Sequence, residues 1–386
     1  MISFYDKFYG RYFMTLQETL HSHFVHLHAH PELSFAEVET TSYIVDVLAR
    51  AGIEVIDCGL KTGCVAIIRG GKAGESSKTI ALRADIDALP IDEGTNLPYK
   101  SQKKGCAHAC GHDFHTTALL GAAFLLQEAQ KDLCVNVKLI FQPSEEQTGG
   151  STLVINTKVL DDVSEIYGLH VMPSTKSGVV QIKSGSIFSS AGIFKIEVKG
   201  IGGHAAMPHQ CRDPIVAAAA LICAAQSIVS RRSSPKESIV LSFTHIEGGS
   251  AWNIISDEVF IEGTIRALGN EMTEETANLL QECCRGIESI YGVQVILTYK
   301  LDTPAINNDQ KLCAELEKKA LNAGFEVEPF IPTMAAEDFA VYQQKIPGVF
   351  FGFSMKTEYG LHHPKFSVDP AFLEAAGRIL FSAAAK

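Results

Sequence analysis

Residues 135–146 read Val-Asn-Val-Lys-Leu-Ile-Phe-Gln-Pro-Ser-Glu-Glu, an apolar run that stops at two adjacent carboxylates. The run 135–141 has the character of a buried strand. Glu145 and Glu146 follow it in an irregular segment, where neighbouring side chains point in different directions. One can therefore hold a metal while the other serves as a general base, the division of labour a hydrolytic metal site needs. Taken alone, a Glu-Glu pair reads as a solvated turn. Its place between an apolar strand and Gly149-Gly150 favours function.

Working outward, helical and strand patterns alternate over the first 185 residues, the mark of an α/β layer with crossover helices. Strands are expected at 53–56, 64–68 and 79–83, and helices at 36–51 and 116–130. Asp85 and Asp87 follow one strand, and His170 ends another at 166–169. These positions share the carboxyl edge, where open α/β sheets bind ligands. From residue 186 the pattern changes to β-α-β-β-α-β, with strands at 192–200, 238–247, 258–268 and 293–300 and helices at 214–229 and 273–291. Such a unit can close as a ferredoxin-like sheet with two helices on one face. The earlier style resumes after residue 303. The fold expected is thus α/β: a catalytic domain of 1–185 and 301–386 with a mostly parallel central sheet flanked by helices, and an inserted α+β domain at 186–300.

Composition sets the outer limits. The chain has 386 residues, 46% of them hydrophobic and 20% charged, enough for two domains with a large core. A net charge of -11 and the lack of a Lys/Arg block argue against nucleic acid or an anionic membrane as partner; Arg231-Arg232 reads as a surface turn. Residues 215–225 are the most apolar stretch, short of the about 20 a membrane helix needs, and read as a buried helix. Ten cysteines are too few for a disulfide scaffold and no charged-then-apolar leader is evident, so a reducing cytoplasm is expected.

The densest chemistry lies in Cys106-Ala-His-Ala-Cys-Gly-His-Asp-Phe-His115. Cys110 and His112 can turn toward one cation because Gly111 lets the chain bend sharply. A structural zinc site is the competing reading, and Cys106 with Cys110 has no second Cys pair to close it. His170 in an apolar setting reads alone as a satisfied core histidine, and His362-His363-Pro364 offers two more imidazoles. Together Cys110, His112, Glu146, His170 and His362 make five ligands, enough for two cations if one bridges. His21, His23, His26, His28 and His30 match no closed site and read as a helix face and turn, while His108 and His115 flank the metal motif. Cys283-Cys284 sits on a helix with its members facing apart.

Ala84-Asp85-Ile86-Asp87-Ala88-Leu89-Pro90, His108-Ala109-Cys110-Gly111-His112-Asp113, Pro143-Ser144-Glu145-Glu146, Gly203-His204-Ala205, Ala336-Glu337-Asp338-Phe339 and His362-x-Pro364 occur in that order, with His30-Pro31-Glu32-Leu33-Ser34 near the start. Over almost the whole chain this resembles the dimetal amidohydrolases, in the branch of hippurate hydrolase, bacterial N-acyl-amino-acid amidohydrolases, auxin-conjugate hydrolases and N-acetyldiaminopimelate deacetylase. The resemblance implies two divalent ions per subunit, with Cys110 bridging, Glu146 and His362 completing one site, and His112 and His170 the other. It implies Glu145 as general base and Asp87 as the carboxylate that orients the imidazole of His112. The peptidase branch carries His-x-Asp where Asp85-x-Asp87 stands here, so Asp85 is not expected to replace that imidazole. The insert would be a lid and homodimerisation domain, with His204 a donor to the substrate carbonyl and Asn253 and Arg266 holding its carboxylate. For the last two, polar groups on a sheet edge are the plainer alternative.

The function expected is hydrolysis of N-acylated amino acids, a small-molecule substrate, to a carboxylate and a free amino acid. Water attacks the acyl carbonyl, Glu145 carries its proton to the leaving nitrogen, and His204 stabilises the oxyanion. N-acetyldiaminopimelate deacetylation is one alternative. A non-catalytic metal- and ligand-binding protein is another, and it has no need of an unligated base beside Glu146. Zinc, manganese, nickel and cobalt all suit the donors.

Overall fold

The computed structural model describes residues 14–74 and 76–385; the opening residues read for a leader fall partly outside them. Two compact units form. One gathers the chain up to Gly185 with Asn308–Ile331 and the chain from Val341 on; the other is Ser186–Asn307 with Pro332–Ala340.

The first unit starts with helices α1 (Leu16–Ala29) and α2 (Val38–Arg50), then strands β1 (Glu54–Ile56), β2 (Cys64–Ile68) and β3 (Thr79–Asp85), helix α3 (His112–Glu128), and strands β4 (Asn136–Gln142), β5 (Val163–Ser174) and β6 (Val180–Ile182). The insert contributes β7 (Ser190–Lys199), α4 (Pro214–Ser227), β8 (Ile239–Gly248), β9 (Glu258–Ala267), α5 (Asn270–Tyr291) and β10 (Gln294–Thr303). The first unit resumes with α6 (Gln310–Asn322), β11 (Val327–Pro329), β12 (Gly348–Lys356) and α7 (Leu373–Ala384).

The large sheet runs β1-β2-β4-β3-β5-β12-β6-β11. Its centre is parallel, β3 pairing with β4 and β5, and β5 with β12. Strands β2 and β3 are buried at every position, as strands covered on both faces should be. Helix α1 begins with a capping box in which Thr15 and Glu18 satisfy each other's backbone N–H. It packs with α7 around α3, whose Phe114, Leu119, Leu120 and Ala123 lie in one core with Leu82, Leu139 and Phe353 of the sheet. The parallel register brings the carboxyl ends of β3 and β4 level, Asp85 opposite Gln142, and so sets the segments after both strands side by side.

The second unit is a four-stranded antiparallel sheet in the order β8-β9-β7-β10. Along β9 the side chains alternate: Val259, Ile261 and Ile265 join the core with Leu221 of α4 and Leu280 of α5, while Phe260, Glu262, Thr264 and Arg266 take the opposite face. Both helices thus cover one face, the ferredoxin-like arrangement.

Three local expectations need correction. His170 does not end a strand, because β5 continues to Ser174. Beyond Gly168 its ladder to β3 stops but pairing to β12 persists through Lys356, so the missing N–H of Pro173 costs no bond on the open side. Arg231-Arg232 is not a plain turn: a π-helical turn, Ile228–Arg232, extends α4, and Arg232 pairs with Glu282 at 2.7 Å. The helical run Pro214–Arg232 is therefore 19 residues, long and apolar enough by length and composition to cross a membrane, and only one face is buried. Ala217, Ala218, Leu221 and Ala225 line the core, whereas Ile215 and Val216 are exposed.

Candidate metal centre and active site

Gly111 initiates the site. It caps α3 in a left-handed conformation (φ 89°), and a Cβ there would stand 2.5 Å from Val171 Cγ2, so no other residue fits. The sharp bend sends Cys110 and His112 toward a common point. Sγ of Cys110 is 3.6 Å from Nε2 of His170.

Ligand atoms of Cys110, His112 and His170 all lie within 4.8 Å of one another, and so do those of Cys110, Glu146 and His362. Cys110 belongs to both trios. Glu146 Oε1 stands 3.3 Å from His362 Nε2 and 3.8 Å from His112 Nε2, which joins the two groups. Both imidazoles of the first trio have Nδ1 engaged away from the centre. His112 Nδ1 donates to the backbone carbonyl of Asp87 at 2.9 Å and to its carboxylate at 3.2 Å, and His170 Nδ1 donates to the carbonyl of Val171 at 2.7 Å. Their Nε2 lone pairs face the centre, as outer partners of metal-bound histidines arrange.

The test of fit is the orphaned nitrogen. His112 Nε2 is buried and, among the described residues, has no hydrogen-bond partner of normal geometry. Burial disfavours a charged ring, yet Asp85, Cys110 and Asp87 around it raise its pKa well above the usual value. The surroundings demand positive charge at that atom. Burial also holds the Cys110 thiol well up, with His112 opposing, and a coordinated thiolate would instead be deprotonated. Soft sulfur, imidazoles and a carboxylate suit a borderline divalent cation.

A further trio, Asp85, His112 and His115, fits less well. His115 uses both nitrogens, one on Asp85 Oδ1 at 2.7 Å and the other accepting the N–H of Val171 at 2.9 Å. Asp85 uses both oxygens, the second on the buried Arg83 at 2.6 Å. Arg83, Asp85 and His115 therefore brace the backbone next to His170.

Asp87 is tied at three points. Its carboxylate receives the Ser34 hydroxyl at 2.6 Å, the N–H of Glu146 at 3.0 Å and the His112 ring. Burial raises its carboxyl, but these donors win and lower it. The acid pair itself rides on strained backbone: Ser144 has φ 49°, and Gly150 is obligatory because its Cβ would come within 1.6 Å of the Pro143 carbonyl. Glu145 joins His112 and Glu146 in a trio within 4.8 Å. His362 also has positive φ, 64°, and its N–H is held by the Ala109 carbonyl at 2.7 Å.

In the second unit, His204 pairs with Ile254 in a short ladder, and the Asn253 carbonyl accepts the N–H of Ala205 at 3.1 Å, so His204 and Asn253 are neighbours. His204 is exposed, and its Nδ1 accepts the N–H of Ala206, which leaves the proton on Nε2. Arg266 is not with them. Gly200 and Gly202 bind Asp257 at the Lys199–Glu258 end of the β7–β9 ladder, whereas Arg266 pairs with Ala191 eight rungs away. At about 3.3 Å per residue that is roughly 26 Å.

Residues overlooked in the sequence include Ser34, Glu37, Arg83 and His28. Arg83-x-Asp85-x-Asp87 was readable as one face of a strand and its extension, since side chains repeat every second residue. His28 lies on a helix as expected, on its inner face, where it is buried between Asp113 Oδ2 at 2.6 Å and Glu93 Oε1 at 3.2 Å. His108 is buried too, with its pKa brought down to about 4 chiefly by that burial. Cys106 joins no ligand group among the described residues.

Residues 81–386 match the family described as Peptidase family M20/M25/M40. The N-acetyl-L-cysteine deacetylase of Bacillus subtilis is 42% identical over 359 residues, spanning 93% of this chain and 86% of that protein. The N-acetyldiaminopimelate deacetylase of Listeria innocua is 35% identical, spanning 88% of this chain and 92% of its own. The crystal structure of Bacillus subtilis YXEP, a dinuclear metal binding peptidase from the M20 family, superposes with a TM-score of 0.87 at 36% identity, covering 96% of this chain and 97% of that one. With a donor set that fits two metal ions, the chain belongs to the peptidase family M20/M25/M40 and is a metal-dependent amidohydrolase.

Proposed function

We propose that the protein hydrolyses the amide bond of N-acylated amino acids, releasing a carboxylate and a free amino acid. The observation that carries the reading is the pair of ligand trios sharing Cys110, with Glu145 beside them. Deacetylase relatives of two specificities support an acyl-amino-acid substrate, with N-acetylcysteine and N-acetyldiaminopimelate the first compounds to test. In this reading Cys110 would serve both cations, Glu146 and His362 would complete one set, and His112 and His170 the other. Bound there, the cations supply Lewis acidity toward the acyl carbonyl and toward water. Glu145 takes the proton of the attacking water and returns it to the leaving nitrogen. Asp87 keeps the His112 ring in place. His204, with its proton on Nε2, donates to the developing oxyanion, an interaction worth about 2.7–4 kcal/mol. Zinc, manganese, nickel and cobalt all remain candidates for the donors, and ten free cysteines suit a reducing compartment.

The test is release of free amine from acetyl, benzoyl and indoleacetyl amino acids by protein loaded with each metal in turn. Faster cleavage of dipeptides with a free amino terminus would sink the reading.

The ligand scheme makes its own prediction. Cys110→Ser should weaken both metals by more than the about 10–100-fold typical of losing an outer-shell partner. His362→Ala should weaken one, and His170→Ala the other. Metal titration reads the outcome, and loss of a single metal from Cys110→Ser would remove its bridging role.

His204 and Arg266 bear on assembly. An N-acyl amino acid is about as long as two residues, roughly 7 Å, too short to reach both ends of one sheet. We propose that a homodimer formed through the second unit supplies His204 and Asn253 from one copy and Arg266 from the other. Mixed dimers of His204→Ala and Arg266→Ala subunits should then regain activity, because one site receives both intact residues. Mixtures no better than either parent, despite exchange of subunits, would overturn the arrangement.

A further inference from the structure

The segment 30–38 is drawn against the candidate active site without supplying a ligand to it. Leu33 forms a parallel bridge to Ala88, and the N–H of Ala88 donates to the Glu32 carbonyl at 2.8 Å. From this base two side chains reach the loop that carries the acid pair. Ser34 donates to Asp87, whose other bonds include the N–H of Glu146. Glu37, a fully buried carboxylate, accepts the N–H of Ser144 at 2.8 Å.

Those two anchors fall on either side of one residue. The backbone N–H before Glu145 is bound by Glu37 and the one after it by Asp87. Ser144 is held left-handed (φ 49°), a conformation that a residue with a side chain adopts only under strain. Such strain persists only where the surroundings over-determine it. Here they do, since the Ser144 carbonyl also accepts the N–H of Gly150 at 3.3 Å. The α2 side of the segment adds a stop: the Thr41 hydroxyl donates to the Glu37 carbonyl and accepts the N–H of Gly63, which lies against Pro143. A solvated turn would need none of these ties.

We propose that residues 30–38 form a positioning strap in which Glu37, through Ser144, sets the direction of the Glu145 carboxylate while leaving metal binding to the other side chains. The inference rests on the reading of Glu145 as general base. Glu37 touches neither the ligand atoms nor, in this scheme, the substrate, so it acts through another residue. A carboxylate is not required for the task, only an acceptor at the right reach.

The experiment compares Glu37→Gln, Glu37→Asp and Glu37→Ala in the metal-loaded protein, alone and combined with Glu145→Gln. Glu37→Gln keeps an oxygen for the Ser144 N–H and should retain nearly normal turnover. Glu37→Ala loses it, and Glu37→Asp keeps the charge but falls short by a methylene. Both should lower kcat by up to about 10²-fold, the scale of a 1 Å misplacement, with KM and the two bound metals unchanged. If Glu37→Ala does not fold, the Asp variant carries the test. Combined with Glu145→Gln, neither should lower the rate further, because the group they aim is already gone. Rates that multiply in the double variants, loss of metal from Glu37→Asp, or a Glu37→Gln defect as large as that of Glu37→Asp would overturn the strap. Failure of the underlying reading looks different: Glu145→Gln by itself would then keep its turnover.

Discussion

Glu145→Gln is expected to lower turnover by about 10²–10⁴, the range spanned by general acid–base catalysis, while both metals stay bound. Gln matches Glu in shape and retains an acceptor oxygen, so the loop that places it need not move. What it loses is the capacity to take a proton from water and hand it to the leaving nitrogen. The neighbouring Glu146 cannot substitute. Its N–H is tied to Asp87 and its Oε1 faces His362 and His112, so it points into the ligand cluster. The loss should fall on kcat and kcat/KM together, as it does when an interaction made in the transition state is removed. Steady-state rates with metal analysis on the same sample check it, and a near-normal rate with both metals present would end the assignment.

How much of this was legible depends on whether the cause was local. The strand before Glu145 shows itself because burial on both faces leaves a mostly apolar run, Val137 and Leu139 to Phe141. The β-α-β-β-α-β succession of the insert was readable for a similar reason, its periods switching between 2 and 3.6. His170 was misread as a strand end because the partner that prolongs β5 is β12, about 180 residues on in sequence, which no local pattern reveals. The candidate donors could be picked out at Cys110 and His112, where Gly111 forces a bend. The convergence of Glu146 and His362 was carried by family likeness. The supports were hidden for a different reason. Ser34, Glu37 and His28 act by distant hydrogen bonds on backbone or on other side chains, and such partners leave no period in the sequence. Arg266 shows the converse limit, since family likeness suggested a carboxylate holder beside His204 while the register places it far along the sheet from that residue.

The histidine discounted as part of a helix face carries the other large expected effect, on stability. Among His28, Asp113 and Glu93, no side chain is more than 5% exposed. Burial opposes a charge on His28, but the hydrogen bonds it donates to Asp113 and Glu93 outweigh it and bring the pKa to about 10. Both carboxylates are lowered against burial, Glu93 by His28 and the N–H of Ser101, and Asp113 by His108 and His28. Replacing His28 with Leu leaves two acids facing each other without a cation, and breaking such a buried pair costs about 3–5 kcal/mol. The sign of the pH dependence follows from the same shifts. A raised histidine stabilises fully below its unfolded value of 6.5, and that stabilisation fades as pH climbs through about 10. The lowered carboxylates stabilise above their unfolded values and lose that contribution in acid. Urea titrations of the metal-loaded wild type should therefore decline from pH 6.5 toward 10, and His28→Gln should remove this alkaline decline. The damage should also reach the candidate centre. Glu93 fixes a loop whose Gly94 N–H holds the Pro364 carbonyl at 2.8 Å, two residues beyond His362. His28→Leu should consequently loosen the metal held with His362 more than the one held with His170. A variant of unchanged stability at pH 7, or one that loosens both metals equally, would show that His28 is not the tie between α1 and the His362 segment.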